Sequence, residues 1–456
     1  MATSLGALPR TMVSRTIRAC GLLGVLYPLP SMAAQQQTWP LRFVKSDEVY
    51  TGRVSAPVGL GVARLHGEGP DLVVADAVRG LILLRNAGSG RFQEEETLAA
   101  GSSATCVGVG DWAEVTGLGI SRAPTLAAAN MLDTFVTVFA PDPKAGGRYH
   151  REDIPTATSP QSVTMVALPG EPTSALLVGR SSNRQGRIDL LRRTDRGWVT
   201  RSGVELPWQP MNLVPYPPAP GVSRELFASP TSGRAVAALE FEPGGGLALR
   251  QILPASHPIL ASAISAGGDL LVGVGGPRAT VWSRPAGSLP GAPFAKLTEL
   301  AAPHPLTGVA VADLNGDGAP EIVATSTDEV LVWSGIPSGG FAAPRVIAPA
   351  HRGFAPVIAD FNHDGRLDIA YNNSIWRSVI VLRNETPTGI PGDVDGNGQV
   401  DAADVRLVLR AITGPTILSP PERAAADVRP IQPDGAWGDG RVTVEDAVAI
   451  LESVGG

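Results

Sequence analysis

Oxygen-bearing side chains near the C-terminus recur at the spacing of a calcium-binding loop. With Asp393 as the first loop position, ligand oxygens are expected at positions one, three, five, seven, nine and twelve. The residues at these positions are Asp393, Asp395, Asn397, Gln399 (through its carbonyl), Asp401 and Asp404. Gly398 stands at the sharp turn. Calcium is a hard cation that takes oxygen ligands, so this segment predicts a calcium site.

A helix must follow this loop, because apolar residues recur at helical spacing after Asp404 and Gly414 stands where a helix would end. About forty residues later a similar loop-helix pattern recurs, with a less complete set of calcium ligands. Its candidate ligands are Asp427, Asp439, Arg441, Thr443 and Asp446. Arg429 occupies the place of an acidic ligand, and residues 430–438 look inserted, with Asp434 a possible replacement. We therefore expect one good calcium site and one weaker site.

This duplicated pattern over residues 392–456 resembles a dockerin, a small EF-hand-like α-helical module of two calcium loop-helix units. The resemblance implies binding to a cohesin domain on a scaffold or cell-surface protein. It also implies that exposed residues after the two loops contribute to the choice of partner. These residues are Ala402, Ala403, Val444 and Glu445.

Two further loops with calcium spacing lie upstream and are related by a repeat, since Asp313 and Asp360 are 47 residues apart (360 − 313). The first candidate ligand set is Asp313, Asn315, Asp317, the Ala319 carbonyl and Glu321. The second set is Asp360, Asn362, Asp364, the Arg366 carbonyl and Asp368. Carboxylates crowded into one tight loop repel each other unless a cation neutralises them, so ion binding and loop conformation are coupled.

The repeat also indicates the fold, because each copy supplies short apolar strands before and after its loop. Weaker copies upstream bring the number of repeat starts to seven, at intervals of about 48–55 residues. The phrase resembles the FG-GAP and VCBS repeats of integrin-like β-propellers, in which such ions are structural. We predict an all-β, seven-bladed β-propeller over residues 50–386, a linker over 387–391 and the dockerin after it. A pair of β-sandwiches is the structural alternative.

Three histidines repeat with the same period. His257, His304 and His351 are 47 residues apart, and each would stand at the entry to the innermost strand of a blade. This entry opens on the mouth of a propeller's central channel. The histidines are therefore weak candidates for a transition-metal site or a catalytic base. Simple inheritance of the repeat is the alternative.

The N-terminus has the pattern of a cleaved secretory signal over residues 1–34. Three arginines and no acidic residue precede an apolar stretch from Ala19 to about Leu29, followed by small residues. The apolar stretch is too short and too interrupted by proline for a membrane span. We therefore expect a secreted protein, located outside the cell or attached to its surface through a partner, with no membrane insertion.

Composition narrows the function further. Without the three signal arginines, 34 basic residues (37 − 3) face 43 acidic ones, for a net charge near −9. Such a surface is a poor match for nucleic acid. Common nucleophile, zinc-protease and phosphate-loop motifs are absent from the sequence. We expect a calcium-binding recognition module for a glycan or protein, tethered by its dockerin. The alternatives are a polysaccharide lyase or glycoside hydrolase with its site at the channel mouth, and an integrin-like adhesion protein.

Overall fold

Short strands with buried centres make up most of the chain before residue 386. The computed structural model describes residues 41–66, 69–110, 124–142, 149–168, 174–182, 185–216, 223–230, 233–336, 339–386, 391–397, 399–414, 416–429 and 441–454. The predicted signal segment 1–34 and most of the predicted linker lie outside these residues.

The strands of the first half are β1 (Phe43–Tyr50), β2 (Pro57–Ala63), β3 (Asp71–Asp76), β4 (Gly80–Asn86), β5 (Phe92–Leu98), β6 (Ala104–Gly110), β7 (Thr125–Asn130), β8 (Phe135–Pro141), β9 (Tyr149–Pro155), β10 (Pro160–Val166), β11 (Ala175–Ser182), β12 (Gln185–Thr194) and β13 (Gly197–Leu206). The second half has β14 (Pro210–Tyr216), β15 (Glu225–Pro230), β16 (Ala235–Phe241), β17 (Leu247–Pro254), β18 (Ala261–Ile264), β19 (Leu270–Ser283), β20 (Ala295–Ala312), β21 (Glu321–Ser326), β22 (Glu329–Trp333), β23 (Arg345–Pro349), β24 (Gly353–Ala359), β25 (Asp368–Asn373) and β26 (Ser378–Asn384). The helices are α1 (Ala402–Thr413), α2 (Pro420–Ala426) and α3 (Val444–Val454).

Consecutive strands pair antiparallel into small sheets that pack face to face around a ring, which is the architecture of a β-propeller. Sheets of four strands are formed by β2 to β5, by β6 to β9, by β10 to β13 and by β14 to β17. Apolar clusters fill the spaces between neighbouring sheets. For example, Leu81 and Leu83 of β4 pack with Leu126 and Ala128 of β7. The fold therefore matches the predicted all-β propeller.

The second strand of a sequence repeat is the most buried part of the ring. Every residue of β3, β7, β15, β21 and β25 is buried. The sequences of β7 (TLAAAN) and β21 (EIVATS) are apolar without alternation, as is typical of strands covered on both faces. Outer strands differ, and β5 (FQEEETL) exposes its run of glutamates. Neighbouring sheets thus sandwich each second strand.

The number of sheets corrects the prediction of seven blades, because the described strands form six hydrogen-bonded sheets. One of these six sheets contains six strands, β18 to β23. The predicted sixth repeat starts at Thr307, which lies inside the continuous strand β20, and Leu306 of that strand pairs with Gly276 of β19. Because extended backbone joins the two repeats here, no sheet boundary separates them. The core of this sheet includes Val281 and Leu331 from its two halves.

The ring is closed by the first strand of the described chain. β1 pairs antiparallel with β26 from the far end of the propeller, with Phe43 opposite Asn384 and Tyr50 opposite Ser378. The Glu385 amide continues the pairing by donating to the Arg42 carbonyl (2.7 Å). β1 is therefore the outer strand of the closing sheet, which has the order β1, β26, β25, β24.

The three helices form a separate small core near the C-terminus. Val405 and Val408 of α1 pack with Ala447 and Ile450 of α3. Val394, from the loop before α1, joins the same cluster. No helix of the described chain is long and apolar enough to cross a membrane.

One buried ion pair joins two sheets of the propeller. The Arg284 guanidinium donates Nη1 to Oε1 of Glu225 (2.8 Å) and Nη2 to Oε2 (2.6 Å), with side-chain exposures of only 2% and 4%. Further bonds run from Arg284 Nε to the Gly268 carbonyl (2.7 Å) and from the Gly291 amide to Oε1 of Glu225 (2.8 Å). The guanidinium also lies 4.5 Å from the centre of the Phe294 ring. Both charges are thus paired by groups of the protein itself.

Arg284→Met is expected to lower the free energy of unfolding of the propeller by roughly 3–5 kcal/mol, because it leaves the Glu225 carboxylate buried and unpaired. The double variant Glu225→Gln/Arg284→Met should recover part of this loss. The measurement is the urea midpoint of the propeller transition. Arg250→Met is the matched control, since Arg250 is half-exposed in its pair with Glu240 and should cost at most about 1 kcal/mol. Equal effects at Arg284 and Arg250 would show that burial does not set the contribution of the Arg284–Glu225 pair.

Candidate calcium sites

Asp404 organises the first loop of the C-terminal module. It lies in the first turn of α1 and is fully buried. Its Oδ1 accepts hydrogen bonds from the backbone amides of Val394 (2.7 Å) and Asp395 (3.0 Å), and its Oδ2 accepts one from the Asp401 amide (2.8 Å). Asp401 in turn caps α1 by accepting from the Ala403 amide (2.6 Å). One carboxylate therefore ties both ends of the loop to the start of the helix.

The loop gathers three carboxylates at one point. Asp393, Asp395 and Asp404 each offer an oxygen within 4.8 Å of the others. Asn397 lies beside them, and its backbone N–H donates to Oδ1 of Asp393 (3.0 Å) and to Oδ1 of Asp395 (3.1 Å). Three negative charges at this separation repel one another, and a cation removes the repulsion. The donor set is all oxygen, which fits calcium rather than a softer metal.

The remaining predicted ligands of this loop are Gln399 and Asp401. The Gln399 amide donates to Oδ1 of Asn397 (2.8 Å), which keeps the backbone turning around the carboxylates. Asp401 is half-buried at the N-cap of α1. Gly398, at the predicted sharp turn, lies outside the described residues.

Asp446 repeats the role of Asp404 in the second loop. Its Oδ1 accepts from the amides of Val428 (2.8 Å) and Arg429 (2.6 Å), and its Oδ2 accepts from the amide (2.7 Å) and hydroxyl (2.9 Å) of Thr443. These contacts make Asp427 the counterpart of Asp393, and Arg429 the counterpart of Asp395. A basic residue thus replaces one carboxylate of the first loop. Asp439 and the possible replacement Asp434 lie outside the described residues, and Arg441 is exposed.

The predicted loop over residues 313–321 forms a tight turn between β20 and β21. Asp313 accepts from the amides of Gly316 (2.7 Å) and Gly318 (2.9 Å), two glycines with positive φ. Asn315 and Asp317 bond each other through Nδ2 and Oδ2 (3.1 Å). Asp317 Oδ1 accepts from the Ala319 amide (2.8 Å). The side chains of the predicted ligands therefore line one small loop.

Glu321 lies at the buried end of this loop, and its surroundings show whether the loop suits a cation. Its Oε2 accepts from the Leu314 amide (2.7 Å), whereas its fully buried Oε1 has no hydrogen-bond partner among the described residues. Burial, together with the nearby charges of Asp317 and Asp313, raises the pKa of Glu321 to about 8. A buried oxygen that lacks a donor and lies near two carboxylates is suited to a cation. The donor set fits calcium.

The loop over residues 360–368 has the same shape but satisfies its own charges better. Asp360 accepts from the amides of Asp364 (3.2 Å) and Gly365 (2.9 Å). Asp368 accepts on both oxygens, from the amides of Phe361 (3.0 Å) and Asn384 (2.8 Å).

Two further observations set this second loop apart. The Arg366 guanidinium donates to Oδ2 of Asp364 (2.6 Å), so a positive charge already stands inside the loop. Burial and the charges of Asp364 and Asp360 raise the pKa of Asp368 only to about 6, below the value at Glu321. We therefore rank the 313–321 loop as the stronger cation site of the two.

Two asparagines, which sequence reasoning missed, lock these loops to the neighbouring sheet. Asn384 Nδ2 donates to the carbonyls of Leu314 (2.8 Å) and Leu367 (3.1 Å). Asn86 Nδ2 donates in the same way to the carbonyls of Phe361 (2.7 Å) and Pro70 (3.1 Å). The signal was present in the sequence, because both asparagines end a repeated Leu-Arg-Asn at the end of a strand.

The three candidate histidines each contact residues of their own repeat. His257 is buried, and its two ring nitrogens are 2.9 Å from the Pro258 carbonyl and 2.9 Å from the Thr280 hydroxyl. His304 Nδ1 lies 3.0 Å from Oε1 of Glu329. The His351 ring lies 5.6 Å from the Trp376 ring. None of the three histidines belongs to the group of Asp393, Asp395 and Asp404, whose side chains lie close enough to hold one metal ion.

The fold and the loops together define a class of protein: an all-β propeller braced by acidic hairpin loops, followed by a helical module of two duplicated loop-helix units. The second unit repeats the bonding of the first around Asp446.

Comparison with known families agrees with this class. Residues 313–371 match the family model of the FG-GAP-like repeat, and residues 391–451 match that of the dockerin type I domain. The chain therefore carries an FG-GAP-like repeat in its propeller and a dockerin type I domain at residues 391–451. Dockerin type I domains bind calcium and attach to cohesin partners, and proteins that carry them are typically extracellular.

Solved structures support the propeller. Two crystal structures of BBS1N in complex with ARL6DN, one soaked with lead and one with mercury, each give a TM-score of 0.54 at 14% identity. Each alignment covers 75% of this chain and 96% of the other. At this identity the likeness concerns the fold alone. No curated protein matches the chain significantly.

Glu321→Gln is expected to reduce the stabilisation that calcium gives the propeller. The substitution removes a charged ligand, whereas in chelator it should cost little, because a pKa of about 8 leaves the carboxyl largely protonated at neutral pH. The measurement is the difference in Tm between calcium and EDTA, which should shrink by roughly 1–2 °C per kcal/mol of lost binding energy for a propeller of this size. Asp368→Asn is the matched control and should change this difference less. A larger effect at Asp368 would overturn the ranking of the two loops.

Proposed function

We propose that this chain is a secreted recognition protein that is tethered through calcium. In this proposal its dockerin domain binds a cohesin domain of a scaffold or cell-surface protein, and its propeller presents a surface for a glycan or another protein. The observation that carries the proposal is the cluster of Asp393, Asp395 and Asp404, closed by Asp404 and duplicated in form around Asp446.

Calcium would act here by fixing the helices. Asp404 belongs both to the loop and to the first turn of α1, so an ion held by Asp393, Asp395 and Asp404 anchors the loop to the helix. The α1 and α3 helices share one core. Ordering the loop therefore sets the relative positions of the two helix faces. Because the ligands repel without the ion, binding free energy becomes folding free energy.

The helix faces offer a surface for a protein partner. Of the residues predicted to contribute to partner choice, Ala402, Val444 and Glu445 are exposed and Ala403 is half-buried. The exposed fractions on α3 are 57% for Val444, 47% for Val448 and 54% for Leu451, which lie at helical spacing on one face. Exposed apolar residues in one stripe are typical of an interaction site.

Asp404→Asn is expected to lower the calcium affinity of the domain at least about tenfold and to abolish calcium-dependent cohesin binding, because it weakens both a ligand and the closure of the loop. Calorimetry with calcium and a binding assay on a panel of cohesin domains, in calcium and in EDTA, measure these effects. Asp446→Asn is the matched control and should affect the tighter site less. Cohesin binding by Asp404→Asn at the wild-type level would refute the tethering proposal.

Export is a separate part of the proposal, carried by the arginine-rich and apolar residues 1–34. Mass spectrometry of the protein from culture medium should find an N-terminus close to residue 35. The same material, incubated with a panel of polysaccharides, tests the catalytic alternative. Release of new reducing or unsaturated sugar ends would favour an enzyme over a recognition module.

A further inference from the structure

A cleft lies at the seam where the propeller closes. It has a volume of about 250 Å³ and separates the outer strand β23 from the closing sheet. The lining residues come from β23 and the turn after it, from the β25–β26 hairpin and from β1. They are Lys45, Glu48, Ala348, Pro349, His351, Tyr371, Asn373, Trp376, Ile380 and Leu382.

The floor of the cleft is apolar and rigid. Tyr371, Ile380 and Leu382 are buried in the core between β22, β23 and the closing sheet. The Tyr371 hydroxyl donates to the Pro349 carbonyl (2.8 Å), which joins the two walls. A ligand here would meet a preformed surface, which lowers the entropic cost of binding.

One wall is an exposed aromatic ring. Trp376 is 59% exposed although it lies in a tight hairpin turn, where its backbone amide donates to Oδ1 of the buried Asn373 (3.2 Å). The imidazole of His351 lies against it, with 5.6 Å between ring centres and an angle of 56° between ring planes. The next residue, Arg377, adopts a positive φ of 54°, which fixes the direction of the turn. The turn therefore leaves Trp376 largely exposed to solvent beside His351.

The rim carries paired charges. Lys45 donates to Oε2 of Glu48, and Oε1 of Glu48 accepts from the Ser378 hydroxyl (2.8 Å). The charges of Lys45 and Glu48 therefore cancel at the rim. The cleft therefore offers hydrogen-bond donors and acceptors without an electrostatic preference for an anion or a cation.

We propose that this cleft binds one ring of a neutral polysaccharide, with a pyranose face stacked on Trp376 and its hydroxyls bonded to Lys45 and Glu48 at the rim. The axial C–H groups of a pyranose form an apolar face that suits an indole, while its equatorial hydroxyls need both donors and acceptors. The volume is below the roughly 300–1,000 Å³ of pockets for drug-sized ligands, so a single ring fits better than an extended segment. This proposal specifies the ligand of the recognition function proposed above, and it rests on that ligand being a glycan.

The position of the cleft adds a readout independent of affinity. The proposed ligand contacts β1 together with the β25–β26 hairpin, so it bridges the first and last strands of the ring. A ligand that binds only the closed ring raises its stability by mass action. Binding should therefore raise the Tm of the propeller transition.

The experiment uses the mature chain in calcium, with hexasaccharides of cellulose, xylan and mannan as neutral probes and a galacturonic acid hexamer as the charged probe. Calorimetry, tryptophan fluorescence and thermal unfolding report binding. We expect at least one neutral probe to bind and to raise the Tm, with Trp376→Ala weakening it at least about tenfold. Ile375→Ala is the matched control, because Ile375 is the exposed neighbour (62%) in the same turn and does not line the cleft. Its binding should equal wild type.

Three results would overturn the cleft proposal: no neutral probe bound by folded protein, equal binding by the Trp376→Ala variant, or preference for the charged hexamer. Cohesin binding measured on the same variants separates this proposal from the tethering function. Loss of sugar binding in Trp376→Ala with intact calcium-dependent cohesin binding supports the cleft. Absence of sugar binding in a wild-type chain that still binds cohesin refutes the cleft alone.

Discussion

The propeller depends on how it stabilises a buried carboxylate at the start of the second strand of a sequence repeat. Asp71, Glu225, Glu321 and Asp368 all stand at this position, and each is at most 3% exposed. A charge in such a place must be paired or neutralised. Asp71 and Asp368 each accept two backbone amides, Glu225 binds Arg284, and Glu321 has one amide and an oxygen left for a cation. The buried carboxylate at this position is thus stabilised in three different ways around the ring: by two backbone amides, by an arginine, or by one amide with one oxygen left for a cation.

The same principle operates in the dockerin domain at smaller scale. Asp404 and Asp446 are buried carboxylates that tie a loop to the first turn of a helix through backbone amides. In the first loop Asp393 and Asp395 crowd beside this anchor, whereas in the second loop Arg429 stands in the place of Asp395. The anchor keeps the shape of both loops. The neighbouring charges decide how strongly each loop needs an ion.

Sequence reasoning reached the fold class and the acidic loops, because both follow from short-range patterns. Ligand spacing places Asp393 to Asp404 and Asp313 to Glu321 in single loops, where chain connectivity alone brings them together. Sequence reasoning missed the features that depend on contacts between residues far apart in the chain. β1 reads FVKSDEVY and carries no trace of the repeat, since its role is defined by β26. The ion pair of Arg284 spans 59 residues and leaves no local signal, and the count of seven blades failed where β20 continues through a repeat boundary.

The closure of the ring by β1 sets the order in which the protein can fold. Glu48 of β1 and Ser378 of β26 are bonded across 330 residues of chain. At about 5–20 residues per second, synthesis of that interval takes roughly 20–70 seconds, during which β1 has no partner. The sequence of β1 is suited to remaining unpaired during this interval. Lys45, Asp47 and Glu48 make a charged edge that resists pairing with other chains. β26 is the last strand of the propeller to be synthesised, and it is the strand with which β1 pairs. The ring can therefore close only after β26 has been made.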